Sequence, residues 1–333
     1  MIIYYFIFLF LTFLAWREIY NPQKLSIYNY IFLTIFFSFF IGLRYKIGCD
    51  WAGYYDLFYR EDPNRGLAEL STLDYLNYKE IGFTSLNFLI NRIGGNFYHL
   101  NLIFSLLFIL PLLKFCSEMK RPFLAILVSF PYLITVIGLG VVRQSIAIVF
   151  IMLCINQLNN FKFSFYYFYN LLAIIFHKSS IFFLFLPLII DSKGNRKIKN
   201  TKIFLYIALL LTIILLILFK YDFLMQQING YLYFSNPTKP INSLIIWGMS
   251  AVPAIIFLFR YKYFEIYDLN KIWRNYAFIA IFAVFIILIN TTVAQRIFLY
   301  LIPINIYFAC KLPEINLFNL SKKRSYFILI IIS

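Results

Sequence analysis

Apolar blocks of about 15–20 residues alternate with short polar loops along the chain, the pattern expected of membrane-spanning helices. They run at 2–16, 27–43, 97–113, 122–140, 141–158, 163–176, 179–190, 203–219, 243–259, 276–290 and 297–310, and another starts at Tyr326. That last block reaches Ser333 after a helix rise of about 10 Å, against a hydrocarbon core of about 30 Å. The chain is therefore expected to stop inside its last span. Ile81–Ile93 is apolar but short and carries Asn87, Asn91 and Arg92. It reads as a helix at the interface or a re-entrant one. The predicted fold is all-α: a polytopic membrane protein with about twelve transmembrane helices, a long outer loop and this short helix. Residues 1–333 form a single integral membrane domain, with 44–96 as an extracytoplasmic loop and interfacial segment within it.

Composition excludes the ordinary soluble classes. Of 333 residues, 62% are apolar and only 13% charged, where a soluble domain runs at about 45–50% and 25%. The net charge of +16 first points to a polyanionic partner, but most Lys and Arg lie in loops between apolar blocks, where they orient a membrane chain. No nucleic acid is implied. Loops 17–26, 114–121, 159–162, 191–202, 260–275 and 311–325 fall on one side and hold 19 basic and six acidic residues. The other side, dominated by 44–96, holds 11 basic and eight acidic ones. The first side is expected to be cytoplasmic and the N-terminus outside. The same parity makes 163–190 two short helices meeting at the outer side around His177-Lys178-Ser179-Ser180. Met1–Trp16 has no basic leader and no small-residue cleavage site, so it reads as a retained helix. Cys49, Cys116, Cys154 and Cys310 show neither metal spacing nor a disulfide framework.

Ionisable groups in spans are rare because each costs roughly 2.5–3.5 kcal/mol on insertion scales. Arg44, Arg143, Lys178 and Arg296 are all expected at outer helix ends, with Asp50, Asp56 and His177 at the same level. A ring of cations there suits a polyanionic headgroup, since Arg matches phosphate oxygens bidentately and Lys adds a point charge. Each has a plainer alternative: Arg44 and Arg296 as snorkelling anchors, Arg143 as a structural ion pair, His177 as a polar residue in a tight turn. Trp51, Tyr54, Tyr55 and Asp56 combine aromatic faces with a carboxylate, which fits a glycan surface. An interfacial aromatic belt has the same composition.

Gly42-Leu43-Arg44-Tyr45-Lys46-Ile47-Gly48-Cys49-Asp50 with Tyr54-Tyr55 resembles the early motif of the EpsG family, Wzy-type bacterial polysaccharide polymerases. Glu80-Ile81-Gly82-Phe83, Val142-Arg143-Gln144-Ser145-Ile146-Ala147 and Ala173-Ile174-Ile175-Phe176-His177-Lys178-Ser179-Ser180, closed by Pro187, agree in order and spacing. Gln295-Arg296 with Tyr300 resembles a weaker late motif. Cys49 departs from the small or hydroxyl residue that often precedes the Asp. The resemblance covers about 40–300 and implies a multi-pass protein of the bacterial cytoplasmic membrane whose active site faces outward. The implied substrate is a polyprenyl-diphosphate-linked oligosaccharide, held in the lipid bilayer and joined to the non-reducing end of the next unit. A chain-length regulator and other polysaccharide export proteins are the implied partner proteins. On this reading Arg44, Arg143, Gln144, Lys178 and Arg296 hold the diphosphate, and Trp51, Tyr54, Tyr55 and Asp56 hold the glycan. Arg143 serves catalysis, and either Asp50 or His177 is the general base. No cofactor or metal is expected. The rival readings are a flippase for the same lipid-linked oligosaccharide, an O-antigen ligase-like glycosyltransferase and a non-catalytic scaffold.

Overall fold

The computed structural model describes residues 2–20, 22–60, 80–189, 240–268, 271–288 and 290–314. Among these, all regular structure is helical. The chain divides into two compact units, Met1–Ile181 with Ala309–Ser333, and Phe182–Phe308.

The first unit contains α1 (Ile2–Tyr20), α2 (Ile27–Gly42), α3 (Trp51–Arg60), α4 (Ile81–Arg92) and α5 (Phe97–Ser117). Next, α6 (Pro122–Ser129) runs into a π-helical stretch, Phe130–Gly138, followed by α7 (Val142–Asn159) and α8 (Phe163–Phe176). Helix starts follow local chemistry. The Ser26 side chain accepts the Asn29 N–H at the head of α2. Asn96 and His99 form a reciprocal capping box at the head of α5. Helix α7 is almost wholly buried, with an apolar stretch at Ile146–Ile155 between polar ends, the mark of a central helix. It packs against α5 and α8, and α5 packs against α2. By contrast, Ile3, Phe6, Phe10 and Phe13 on α1 and Tyr28, Phe32, Ile35 and Phe39 on α2 are exposed. Rows of this kind suit hydrocarbon rather than water.

Buried polar groups away from these rows hold helix ends. The Glu18 carboxylate accepts the N–H groups of Phe123 and Leu124, each at 3.1 Å, and so caps α6 from α1. A carboxylate there also meets the positive end of the helix dipole. Asn91 donates to the Phe58 carbonyl at 2.9 Å and Asn87 to that of Leu57 at 3.5 Å. The polar residues that make 81–93 a poor span therefore satisfy the last turn of α3.

The second unit holds α9 (Pro240–Phe259), α10 (Tyr261–Phe264), α11 (Ile272–Phe282) with a 3-10 extension Ala283–Leu288, α12 (Thr291–Leu299) and most of α13 (Pro303–Lys311). Buried Asp268 accepts the N–H groups of Trp273 and Arg274 and the hydroxyl of Tyr261. Burial pushes its carboxyl above the ordinary range, against those hydrogen bonds.

Three described helices, α5, α7 and α9, are long and apolar enough to cross a membrane. The pair α12 and α13, bent by 40°, meets the same length and composition test only when taken together, as one broken span or a re-entrant loop. Five shorter apolar helices accompany them. The expectation of about twelve spans came from counting apolar blocks. The described backbone breaks several of those blocks: one changes to π-helix at Phe130–Gly138, another holds the 3-10 run Lys178–Ile189, and a third changes to 3-10 helix at Ala283–Leu288. A 3-10 turn rises about 2.0 Å per residue, so the twelve residues Lys178–Ile189 extend about 24 Å, further than the same number in an α-helix. The block 203–219, the loop 191–202, the outer-loop segment 61–79 and the block from Tyr326 lie outside the described residues.

Candidate functional site

The site gathers where three backbone interruptions of the first unit meet: the turn after α2, the head of α4 and the junction after α8. Arg44 follows α2 directly and folds back, its Nη1 donating to the Ile41 carbonyl at 2.9 Å. The side chain is buried, and its Nε and Nη2 have no hydrogen-bond partner among the described residues. It does not reach outward as a snorkelling anchor would. Its carbonyl accepts the Trp51 indole N–H at 3.2 Å, which ties the turn to α3. Gly48 adopts φ +102°, and a Cβ there would lie 2.0 Å from the Leu139 carbonyl oxygen. The turn is therefore pressed onto the chain immediately before α7.

Helix α3 buries Trp51, Tyr54 and Phe58, spaced three and four apart, and exposes Tyr55, Asp56 and Tyr59. Trp51 packs against Tyr45, Tyr55 and Phe97. Trp51 and Tyr54, both expected to hold the glycan, are turned inward by helical periodicity and are buried. Tyr55 and Asp56 remain at the surface, Asp56 3.8 Å from Arg60.

Arg143 stands in the first turn of α7. Its Nε donates to the Tyr54 hydroxyl at 3.2 Å, and its Nη1 lies 3.0 Å from Glu80 Oε2. The guanidinium also lies over the rings of Tyr54 and Phe83, 5.5 and 5.6 Å from their centroids. Two of its three nitrogens are therefore engaged within the protein, which narrows the expected bidentate grip on a diphosphate. About a third of the side chain, 35%, stays exposed.

Glu80 occupies the N-cap position of α4, yet its side chain makes no capping bond. The carboxylate turns instead to two partners, the His177 Nδ1 and Arg143. The Lys178 backbone N–H also donates to it. Gly82 makes this approach possible, since a Cβ there would come within 2.9 Å of Ile175 and 3.0 Å of Phe176 on α8. His177 ends α8 in an extended conformation, its N–H on the Ala173 carbonyl and its own carbonyl accepting from Ser180 N and Oγ. Its Nε2 is buried without a hydrogen-bond partner among the described residues, which marks a place where a ligand or water is due.

Burial raises the Glu80 carboxyl, but the hydrogen bond and charge of His177 and the charge of Arg143 outweigh it and hold the group below the ordinary carboxylate range. The sign follows: the stabilisation is present above the unfolded-state pKa and is lost as pH falls through the lowered folded value. The cluster should withstand mild acid.

Asp50 is half-buried and contributes its charge near Tyr54 and Arg143. Gln144 is buried beside Arg143, and the Lys178 side chain is exposed. Arg296 is half-buried on α12 in the second unit, whose Asn290 N-cap accepts the N–H groups of Thr292 and Val293. Among the described residues no group of three His, Cys, Asp or Glu side chains is placed to hold a metal ion.

The EpsG family model matches residues 27–333, nearly the whole chain. The chain belongs to the EpsG family. Neither the curated proteins nor the solved structures give a match. EpsG membership is linked to exopolysaccharide biosynthesis, and it covers every residue of the Tyr54–Arg143–Glu80–His177 cluster. Glu80 stands in a sequence stretch that resembles an EpsG motif, without a role implied for it. An acid at the head of a helix reads as a cap, and only the fold shows its carboxylate pointing elsewhere.

Proposed function

We propose that this EpsG-family protein is a metal-independent polymerase that joins polyprenyl-diphosphate-linked oligosaccharide units at the outer face of the cytoplasmic membrane. The observation that carries the reading is the Glu80 carboxylate shared by His177 and Arg143, which puts a candidate base beside a fixed cation. In the step, an acceptor hydroxyl oxygen bonds to the donor's anomeric carbon as the carbon–oxygen bond to the diphosphate breaks. The hydroxyl proton passes to His177 Nε2, and the bonding pair leaves with the lipid diphosphate. The exposed part of Arg143, with Lys178 next to His177 in the chain, stabilises the charge that develops there. His177 is preferred to Asp50 as base because its ring is held by a carboxylate and its second nitrogen has no hydrogen-bond partner among the described residues.

The test is the full chain in liposomes with a defined lipid-linked repeat unit, read as a ladder on a gel. A ladder is expected; movement of the unit across the bilayer without chain growth would favour the flippase and overturn the proposal. Chain growth should also survive EDTA, because guanidinium and ammonium groups carry the electrostatic load. Complete loss restored by one divalent ion would contradict that. For the orientation, impermeant thiol reagents on intact cells should reach a cysteine placed at Ser71 and miss one placed at Ser192. The reverse pattern would remove the outer-face chemistry.

A further inference from the structure

We propose that Glu80 is a positioning residue that fixes the tautomer of His177, keeping the proton on Nδ1 so that the Nε2 lone pair faces the reacting hydroxyl. The proton's destination rests on the polymerase reading; the tautomer does not.

An ionised carboxylate only accepts hydrogen bonds. A neutral imidazole whose Nδ1 sits against Glu80 must therefore carry its hydrogen on Nδ1. The carboxylate is itself fixed on both sides. Its second oxygen lies 3.0 Å from Arg143 Nη1, the carboxylate also accepts the Lys178 backbone N–H, and only 9% of its side chain is exposed. The His177 side chain is 12% exposed, so water competes little for the pairing. The charged groups around it are Glu80 at the head of α4, Arg143 on α7 and Lys178 next in the chain, with Asp50 in the turn before α3 acting on Arg143. Of these, Glu80 is the one in contact with the ring. One carboxylate thus orients the base and holds the guanidinium, so uptake of a proton by His177 creates an ion pair beside Arg143.

The chain has two histidines, and the other gives an internal contrast. His99 Nδ1 accepts the Asn96 backbone N–H at 3.1 Å, which puts its proton on Nε2. The two rings should hold opposite tautomers.

The experiment is nitrogen NMR of the full chain, labelled at histidine, in detergent, read on the neutral-ring signals, with His99→Gln to assign them. His177 should show a protonated Nδ1 and His99 a protonated Nε2. In Glu80→Ala, His177 should shift mainly to the Nε2–H form that free imidazole favours, while the His99 signals stay in place and report an intact fold. An Nε2–H tautomer for His177 in the wild type, or one unmoved by Glu80→Ala, would overturn the proposal whether or not the protein polymerises. In liposomes, Glu80→Gln should slow chain growth by on the order of 10² and lose most of that effect in a His177→Ala background. Equal losses in both backgrounds would mean that Glu80 does not act through His177. A wild type with the expected tautomers but no ladder would fail the polymerase reading alone.

Discussion

Arg143→Ala should abolish visible polymer while the protein still inserts and accumulates. The substitution removes a cation from a partly buried site and leaves the Glu80 carboxylate with the His177 ring and the Lys178 N–H. Losing one well-placed donor to a developing oxyanion typically costs about 10²–10³ in rate. Loss of the Glu80 pairing adds to that by loosening the orientation of the base. Arg143→Lys separates charge from shape. Lys retains the charge but lacks the planar fork whose Nε and Nη1 span the Tyr54 hydroxyl and Glu80, and it lacks the flat surface that lies over Tyr54 and Phe83. Activity should fall by about tenfold or more, between wild type and Ala, consistent with one lost charge-assisted hydrogen bond. Chain growth by Arg143→Lys at a normal rate, at matched protein levels, would leave Arg143 a generic anchor.

Gly48→Ala should strongly destabilise the first unit. At φ +102° an L side chain is strained by about 1–3 kcal/mol. The added Cβ also meets the Leu139 carbonyl oxygen at 2.0 Å and its carbon at 2.8 Å, backbone atoms that no rotamer change can move aside. Relief requires the turn to lift from the chain ahead of α7, which would carry Arg44, Asp50 and α3 away from Arg143. The combined cost should exceed about 3 kcal/mol. Gly53→Ala is the matched control: nothing lies within 4 Å of its Cβ, and Ala favours the α3 helix. Thermal unfolding in detergent should show a large drop for Gly48→Ala and little change or a small gain for Gly53→Ala. Similar curves for the two would mean that the turn yields without cost.

The sequence by itself determined the helical class, the membrane setting and the family, because each rests on local composition or ordered motifs. A block of apolar residues carries its hydrophobicity wherever it packs, and helix α8 runs over the same residues, 163–176, as its block. Where the backbone changes geometry was not legible. The π stretch at Phe130–Gly138 and the 3-10 runs at Lys178 and Ala283 are as apolar as the helices they interrupt. Nor could composition tell which face of α3 lies inward: Trp51 and Tyr54 carry the same aromatic signal as Tyr55, and only the docking of α3 buries the first two and leaves the third exposed. The site shows the division most clearly. Asp50, Arg143 and His177 stand out in sequence because polar groups beside apolar helices are costly. Their pairing is a long-range fact: Glu80 lies 97 residues from His177. Only tertiary structure, through the close approach of Gly82 to α8, turns a residue at a helix-capping position into the carboxylate that joins the ring to the guanidinium.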